Sequence, residues 1–298
     1  MTKVITAETI CPSKLTPEAR QNLSENLFKV HKRIFKGLNE KEFDHYVVNS
    51  PAEITKIFIY KNKSKGEIVG YFAVHRFQKR VNDKPLVIFR AEAGLVPEYR
   101  HKNADIYFWF KEALKFKIFH PNKEIFYLVC PINPSVYARF AKYMYKAYPK
   151  YDCIIPPNIK NLMIQLADEF DLKKVDQNNP FVRKVGWITQ ATEEEKIFWQ
   201  NCNNPHVRFY IELNHDFSKG NGVLTLMPLT LLNLLISLCS FFIYYTLKRK
   251  IRYNLPRLFR SSRKYHFFST YLFTMIIISS TAEYGSVFFS MISSMSLL

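Results

Sequence analysis

Apolar residues recur at three- and four-residue spacing through "LTPEARQNLSENLFKVHKRIFKG", at Leu23, Leu27, Val30 and Ile34, which predicts an amphipathic helix packed along one stripe. Thr16 is placed to cap its N-terminus, Pro17 fits the first helical position, and Gly37 follows the last periodic residue. "NEKEFDHYVVNS" predicts a second, shorter helix ending before Pro51. "ITKIFIYK" and "EIVGYFAVHRFQ" are β-rich runs joined by the polar "NKSKGE", and together predict a hairpin. "KPLVIFRAEAGLV" predicts a third strand and "ADIYFWFKEALKFKIF" a helix broken at Pro121 and Asn122. "EIFYLVC" reads as a short buried strand, and "NPSVYARFAKYMYKAY" as a helix with Pro134 near its start. The strand–helix–strand step in this order implies a right-handed parallel crossover within a largely antiparallel sheet, an α+β arrangement.

The pattern is weaker over residues 151–221. "NIKNLMIQLADEFDL" and "ATEEEKIFWQNC" predict helices, while "FVRKVGWI" and "HVRFYIEL" predict two closing strands. From 222 onward the composition changes. Residues 223–247, "VLTLMPLTLLNLLISLCSFFIYYTL", carry no charge in 25 positions. As a helix that run is about 37 Å long against roughly 30 Å of bilayer hydrocarbon. It predicts a transmembrane helix, with a buried core helix as the alternative and Pro228 and Asn233 as its weak points. Tyr244 and Tyr245 would form its interfacial belt. A second apolar segment, 267–290, contains Glu283. The expected organisation is a domain over 1–221 and a membrane-anchoring transmembrane helical hairpin over 222–298.

Charge sharpens this division. The chain carries a formal net charge of +18, of which +11 falls in residues 1–221 and +7 in 222–298. The loop 248–264, "KRKIRYNLPRLFRSSRK", has eight basic residues and no acidic one, and is expected to meet an anionic lipid membrane. The positive-inside rule puts that loop in the cytoplasm, which for a two-span tail would place 1–222 on the far side. A re-entrant or interfacial hairpin would instead keep both loop and domain cytosolic, and under post-translational insertion the rule has less force. The expected location is a membrane with the domain facing the cytosol. The N-terminal "MTKVITAETICPSKL" lacks the apolar stretch of a signal peptide. Basic charge also suits nucleic acid, but no nucleic-acid module is recognisable, so that partner is not expected.

Five scattered cysteines without a CxxC pair argue for a reducing compartment and against a disulfide framework or zinc site. Eight histidines form neither HxH nor HExxH, so no metal is expected. No G-x-S-x-G, P-loop or complete G-x-G-x-x-G occurs. The candidate chemistry lies in "AEAGLVPEYRHKNADIYFWF", where a strand end, a short basic loop and a helix start adjoin. Backbone N–H groups at a helix N-terminus hold phosphate, and Arg100, His101 and Lys102 would add charge. Asn103 tolerates the turn conformations that favour glycine, whereas the Asp105 carboxylate competes with phosphate for the same helix end.

The phrase Val96-Pro97-Glu98-Tyr99-Arg100, at the end of a strand and ahead of this loop, resembles the GNAT superfamily of acyl-CoA-dependent N-acetyltransferases. The resemblance extends in architecture over about residues 15–150. It implies a GNAT-like mixed central sheet flanked by helices and acetyl-CoA or another acyl-CoA as co-substrate. It also implies an amine as acceptor, of unknown identity. By the same resemblance Leu95, Val96, Arg100, His101, Lys102, Asn103, Ala104 and Asn133 would contact the cofactor. Glu92 would be the general base and Tyr137 or Tyr143 the acid, with Arg90 and Arg76 competing as ion-pair partners of Glu92. In the family the loop reads Gln/Arg-x-x-Gly-x-Gly/Ala, and Asn103 and Asp105 stand where it has small residues. The rival expectation is therefore a catalytically lapsed GNAT fold serving as a membrane-tethered binding or scaffold protein.

Overall fold

The computed structural model describes residues 5–99 and 104–254. Arg100, His101, Lys102 and Asn103 lie outside the described residues, as do the 267–290 segment and the basic loop beyond Asn254. Contacts divide the chain into a first unit, Met1–Ile243, and a second, Tyr244–Leu298.

The first unit is built on a six-stranded sheet of β1 (Ile5–Ile10), β3 (Ile54–Asn62), β4 (Ile68–Val81), β5 (Lys84–Leu95), β6 (Glu124–Val129) and β10 (Thr225–Pro228), adjacent in that order. All neighbours are antiparallel except β5 and β6, which run parallel through the crossover helix α3 (Ala104–Phe119). The long β4–β5 hairpin closes on Asn82 and Asp83, both with positive φ. This is the pair of left-handed residues that a two-residue turn needs to match strand twist.

Period-two alternation explains the layers. Leu86 and Ile88 of β5 pack with Met163, Leu166 and Ala167 of α5 (Pro157–Glu169), while Val87 and Phe89 turn to the opposite face against α3. The remaining helices on the α5 face are α1 (Pro17–His31) and α2 (Glu40–Val47), whose Leu27, Phe28, Phe43 and Val47 cover Ile57, Ile59, Tyr71 and Ala73. Thr16 caps α1 through its hydroxyl, which accepts from the Ala19 N–H at 3.2 Å. Asn39 closes a capping box with Glu42 on α2. Beyond β6 follow α4 (Pro134–Tyr143), the short strands β7 (Val182–Lys184) and β8 (Ile188–Thr189), and helices α6 (Glu193–Gln200) and α7 (Pro205–Leu213). A two-residue strand β2 (Phe35–Lys36), between α1 and α2, pairs with β8, and β9 (Asn221–Val223) pairs with β7.

Several expectations are corrected here. "HVRFYIEL" is helix α7, because Asn204 caps it, accepting from the His206 N–H, and Pro205 occupies its first position. "FVRKVGWI" is two strands, β7 and β8, interrupted at Gly186 with φ +85°. The largest correction concerns 223–247. The run opens within β9 and continues as β10, which joins the central sheet beside β6 with Leu226 opposite Leu128. Helix α8 starts only at Leu231 and runs to Asn254. A continuous apolar run reads alike as a membrane helix and as a strand buried on both faces, and here tertiary pairing selects the strand.

The start of α8 is held by polar contacts. Asn233, buried, accepts from the Lys146 N–H at 2.8 Å and donates to the carbonyls of Lys146 and Pro228 at 3.0 and 2.6 Å. Ser237 accepts from the Tyr145 N–H at 3.0 Å. Among the described residues no helix is long and apolar enough to cross a membrane.

Candidate functional site

The sheet opens where its one parallel pair stops. β5 and β6 are paired from Leu86 opposite Glu124 to Phe89 opposite Tyr127, and no further. Beyond that point β5 continues from Arg90 to Leu95 bound only to β4, while β6 stays with β10. Among the described residues, the edge of β5 that faces β6 therefore has no strand partner from Arg90 to Leu95. Such an edge presents backbone donors and acceptors in a row, the arrangement to which an extended, amide-bearing chain adds as an extra strand. The pantetheine arm of an acyl-CoA has that chemistry, so the residues present fit the group at this end.

Glu92 lies on this opened part of β5. Its side chain is 12% exposed; Oε2 faces His75 Nε2 at 2.7 Å, and Oε1 lies 3.7 Å from the Arg90 guanidinium. Arg90 is in turn set over the Phe170 ring, 4.7 Å from its centroid. Arg76, the other candidate partner, points to the opposite face, stacks on Phe116 of α3 and pairs with Glu53. Leu95 ends the strand, and the Val96 N–H is taken by the Val69 carbonyl at 3.0 Å. Ala104 is the first residue of α3. The basic side chains just ahead of it lie outside the described residues.

A strap crosses the Glu92 face. β2 pairs with β8, and Gly37, at φ +104°, is so close to Gly186 that an added Cβ would sit 2.0 Å from its carbonyl oxygen. Only glycine satisfies both the conformation and the approach. Phe35 from the strap lies over Gly94, whose absent Cβ would meet the Phe35 ring at 3.1 Å. Trp187 and Phe43 pack around His31, with ring centroids 4.7 and 4.8 Å away. The Tyr71 hydroxyl lies 2.8 Å from His31 Nδ1. Burial first, and the Glu92 charge second, hold the Tyr71 phenol well above its ordinary range, so it stays protonated.

Burial lowers the His31 pKa from 6.5 to about 4. A folded-state pKa below the unfolded one means that the unfolded chain binds the proton more readily. The contribution of neutral His31 is therefore complete above pH 6.5 and is lost as the pH falls towards 4, by up to about 3 kcal/mol. Urea unfolding should show this as a loss of stability between pH 7 and pH 4.5 that is reduced by about 2 kcal/mol in His31→Gln.

The other predicted site residues separate. Asn133 caps α4, its Oδ1 accepting from the Ser135 N–H at 2.9 Å and from the Ser135 hydroxyl at 2.6 Å. Tyr137 lies on α4, on the side that meets α7. Its side chain is buried against Tyr210 and its hydroxyl donates to the Pro149 carbonyl at 2.9 Å. Burial, reinforced by the Asp152 charge, raises its pKa further. Tyr137→Phe should cost about 1 kcal/mol of stability in chemical denaturation while leaving any transfer activity within a few-fold. Tyr143 ends α4, about 15 Å along the helix from its start, and its ring packs on Phe241 with centroids 5.3 Å apart. Cys130, where β6 gives way to the loop before α4, is pushed up to about 12 by burial, against the opposing pull of Arg90 and Arg183. It remains a thiol rather than a nucleophilic thiolate.

His75 and Thr55 are neighbours of Glu92 that pattern reading did not single out. The available signal was a histidine at an inward position of an otherwise apolar strand, "VGYFAVHRFQ".

No family model and no curated protein matches the chain. Among solved structures it is similar to Arabidopsis thaliana NAA60 in complex with acetyl-CoA, at 16% identity and a TM-score of 0.32, covering 48% of this chain and 87% of that one. It is similar to the Escherichia coli GNAT family N-acetyltransferase YhbS in complex with CoA, at 14% and 0.31, over 47% and 70%. It is also similar to the Escherichia coli ribosomal-protein-S18-alanine N-acetyltransferase, at 9% and 0.33, over 76% and 96%.

Proposed function

We propose that this chain is a GNAT-type acyltransferase that moves an acyl group from acyl-CoA to an amine. The observation that carries the reading is the parting of β5 from β6 after Phe89 and Tyr127, with Glu92 on the opened stretch of β5. The thioester arm would add along the free β5 edge and present its carbonyl beside Glu92. Glu92 would take a proton from the acceptor ammonium, leaving an amine free to attack the thioester carbon. The leaving group is a thiolate, and because a thiol is far more acidic than an alcohol it departs with less help than an alkoxide would. The proposed step therefore assigns no proton to Tyr137.

Incubating the full chain with radiolabelled acetyl-CoA and a panel of N-terminal peptides, polyamines and aminophospholipids tests this. Labelled product that depends on Glu92 is expected; acetyl-CoA that binds but never transfers would favour the second reading. That reading is a lapsed GNAT fold acting as a tether or scaffold, and the Phe35 lid over Gly94 and the slight exposure of Glu92 speak for it.

Membrane association is part of the proposal in a revised form. The sheet-bound β10 and the clasped start of α8 leave the basic residues from Lys248 onward, with the apolar segment after them, as the membrane-directed part. Binding to anionic vesicles that disappears on truncation after Leu247 would locate it there; undiminished binding would place it elsewhere.

A further inference from the structure

Glu92 is held by a line of side chains that crosses three strands. Thr55 of β3 is directly opposite His75 of β4, and Glu92 of β5 is opposite Ala73, one same-face step along β4 from His75. The Thr55 hydroxyl lies 2.9 Å from His75 Nδ1, and His75 Nε2 lies 2.7 Å from Glu92 Oε2. The imidazole is 1% exposed, so both nitrogens must be served from within the protein. The Nε2 and Oε2 atoms face each other off the line of an ideal hydrogen bond, as hydrogen bonds at reacting groups often do before substrate binds. Thr55 also lines an open depression of about 230 Å³ with Arg20, Asn49 and Glu53.

We propose that His75 is the positioning residue for Glu92 and that Thr55 fixes the imidazole that does it; this rests on Glu92 being the base. A carboxylate accepts only, so the hydrogen between the two must sit on Nε2. In the neutral imidazole Nδ1 is then bare and accepts from the Thr55 hydroxyl, which sets the tautomer from the side opposite the reaction. Once the Nε2–H···Oε2 bond aligns, Oε2 is occupied, the carboxylate is held, and Oε1 is the oxygen left to receive the amine proton. His75 touches neither reactant and acts only through Glu92.

Long-range proton–nitrogen NMR on the full chain labelled at histidine tests the assignment without any acceptor. His75 is identified as the signal absent from His75→Gln. The expected result is a single Nε2–H tautomer with bare Nδ1, kept in Thr55→Ser and lost to a mixture in Thr55→Val. An Nδ1–H tautomer, or indifference to Thr55→Val, would overturn the linkage whatever the activity. With acetyl-CoA and an acceptor from the panel, His75→Leu should lower kcat by about 10²-fold, the cost of a misplaced catalytic group, with KM for acetyl-CoA unchanged. His75→Gln, which keeps an N–H donor, should recover most of it. Equal loss in both variants, or a rise in KM alone, would make His75 a packing residue. If the tautomer is as stated but Glu92→Gln still turns over, the base assignment fails while the linkage stands.

Discussion

Glu92→Gln is expected to bind acetyl-CoA as the native chain does and to transfer its acetyl group about 10²–10⁴-fold more slowly, the range that general-base catalysis contributes. The separation of the two effects follows from where Glu92 sits. The groups that fit the acyl-CoA arm are backbone atoms along the free edge of β5, which a side-chain amide leaves untouched. The carboxylate is shielded, 12% exposed, and flanked by His75 and Arg90, so a glutamine of the same shape retains an oxygen for His75 Nε2–H. What glutamine cannot do is accept the amine proton. The pair of measurements is equilibrium binding of acetyl-CoA and initial transfer rate on the same preparation. A variant that loses binding as well would mean that Glu92 shapes the site; one within a few-fold of native would remove it from the chemistry.

Asn233→Leu is expected to destabilise the first unit by about 3–5 kcal/mol, or roughly 10 °C in melting temperature. Asn233 is 1% exposed and serves the Lys146 N–H, the Lys146 carbonyl and the Pro228 carbonyl. Leucine has the same branched skeleton, is somewhat bulkier and offers none of these bonds. It leaves three part-buried backbone groups without these partners, each costing about 1–3 kcal/mol before relaxation. The sign of the effect distinguishes two accounts of the apolar run. If the start of α8 were embedded in lipid, exchanging a polar for an apolar residue would ease insertion and cost nothing in the domain. Thermal unfolding of native and variant chains gives the answer, and an unchanged or raised melting temperature would detach α8 from the fold.

The elements with strong local signals were legible in the sequence. Thr16 with Pro17 marked α1, the period-two runs marked β3, β4 and β5, and Pro121 stopped α3 close to where it ends. The parallel β5–β6 step followed from a strand–helix–strand order and the handedness rule. The misses have a common cause. β10 and α7 are apolar or β-branched runs whose type is settled by partners distant in sequence. β10 needs β6, about a hundred residues earlier, and α7 packs through Tyr210 against Tyr137. Local propensity had no access to either contact.

The site divides in the same way. The place of Glu92 on the central strand was legible, and the resemblance to the GNAT superfamily singled it out as a base. Its alignment with His75 and Thr55 depends on the register of two antiparallel pairs, which no local pattern gives. The burial of Tyr137 against α7 and its hydrogen bond to the Pro149 carbonyl are likewise set by tertiary packing that no local pattern gives.

The central claim is that the gap between β5 and β6 receives an acyl-CoA. Equilibrium dialysis of the full chain against radiolabelled acetyl-CoA tests it without any acceptor. The account predicts saturable binding at one site per chain, with a Kd in the range of about 1 μM–1 mM common for enzyme substrates, and competition by unlabelled CoA. A folded chain that takes up no label at millimolar acetyl-CoA would contradict it.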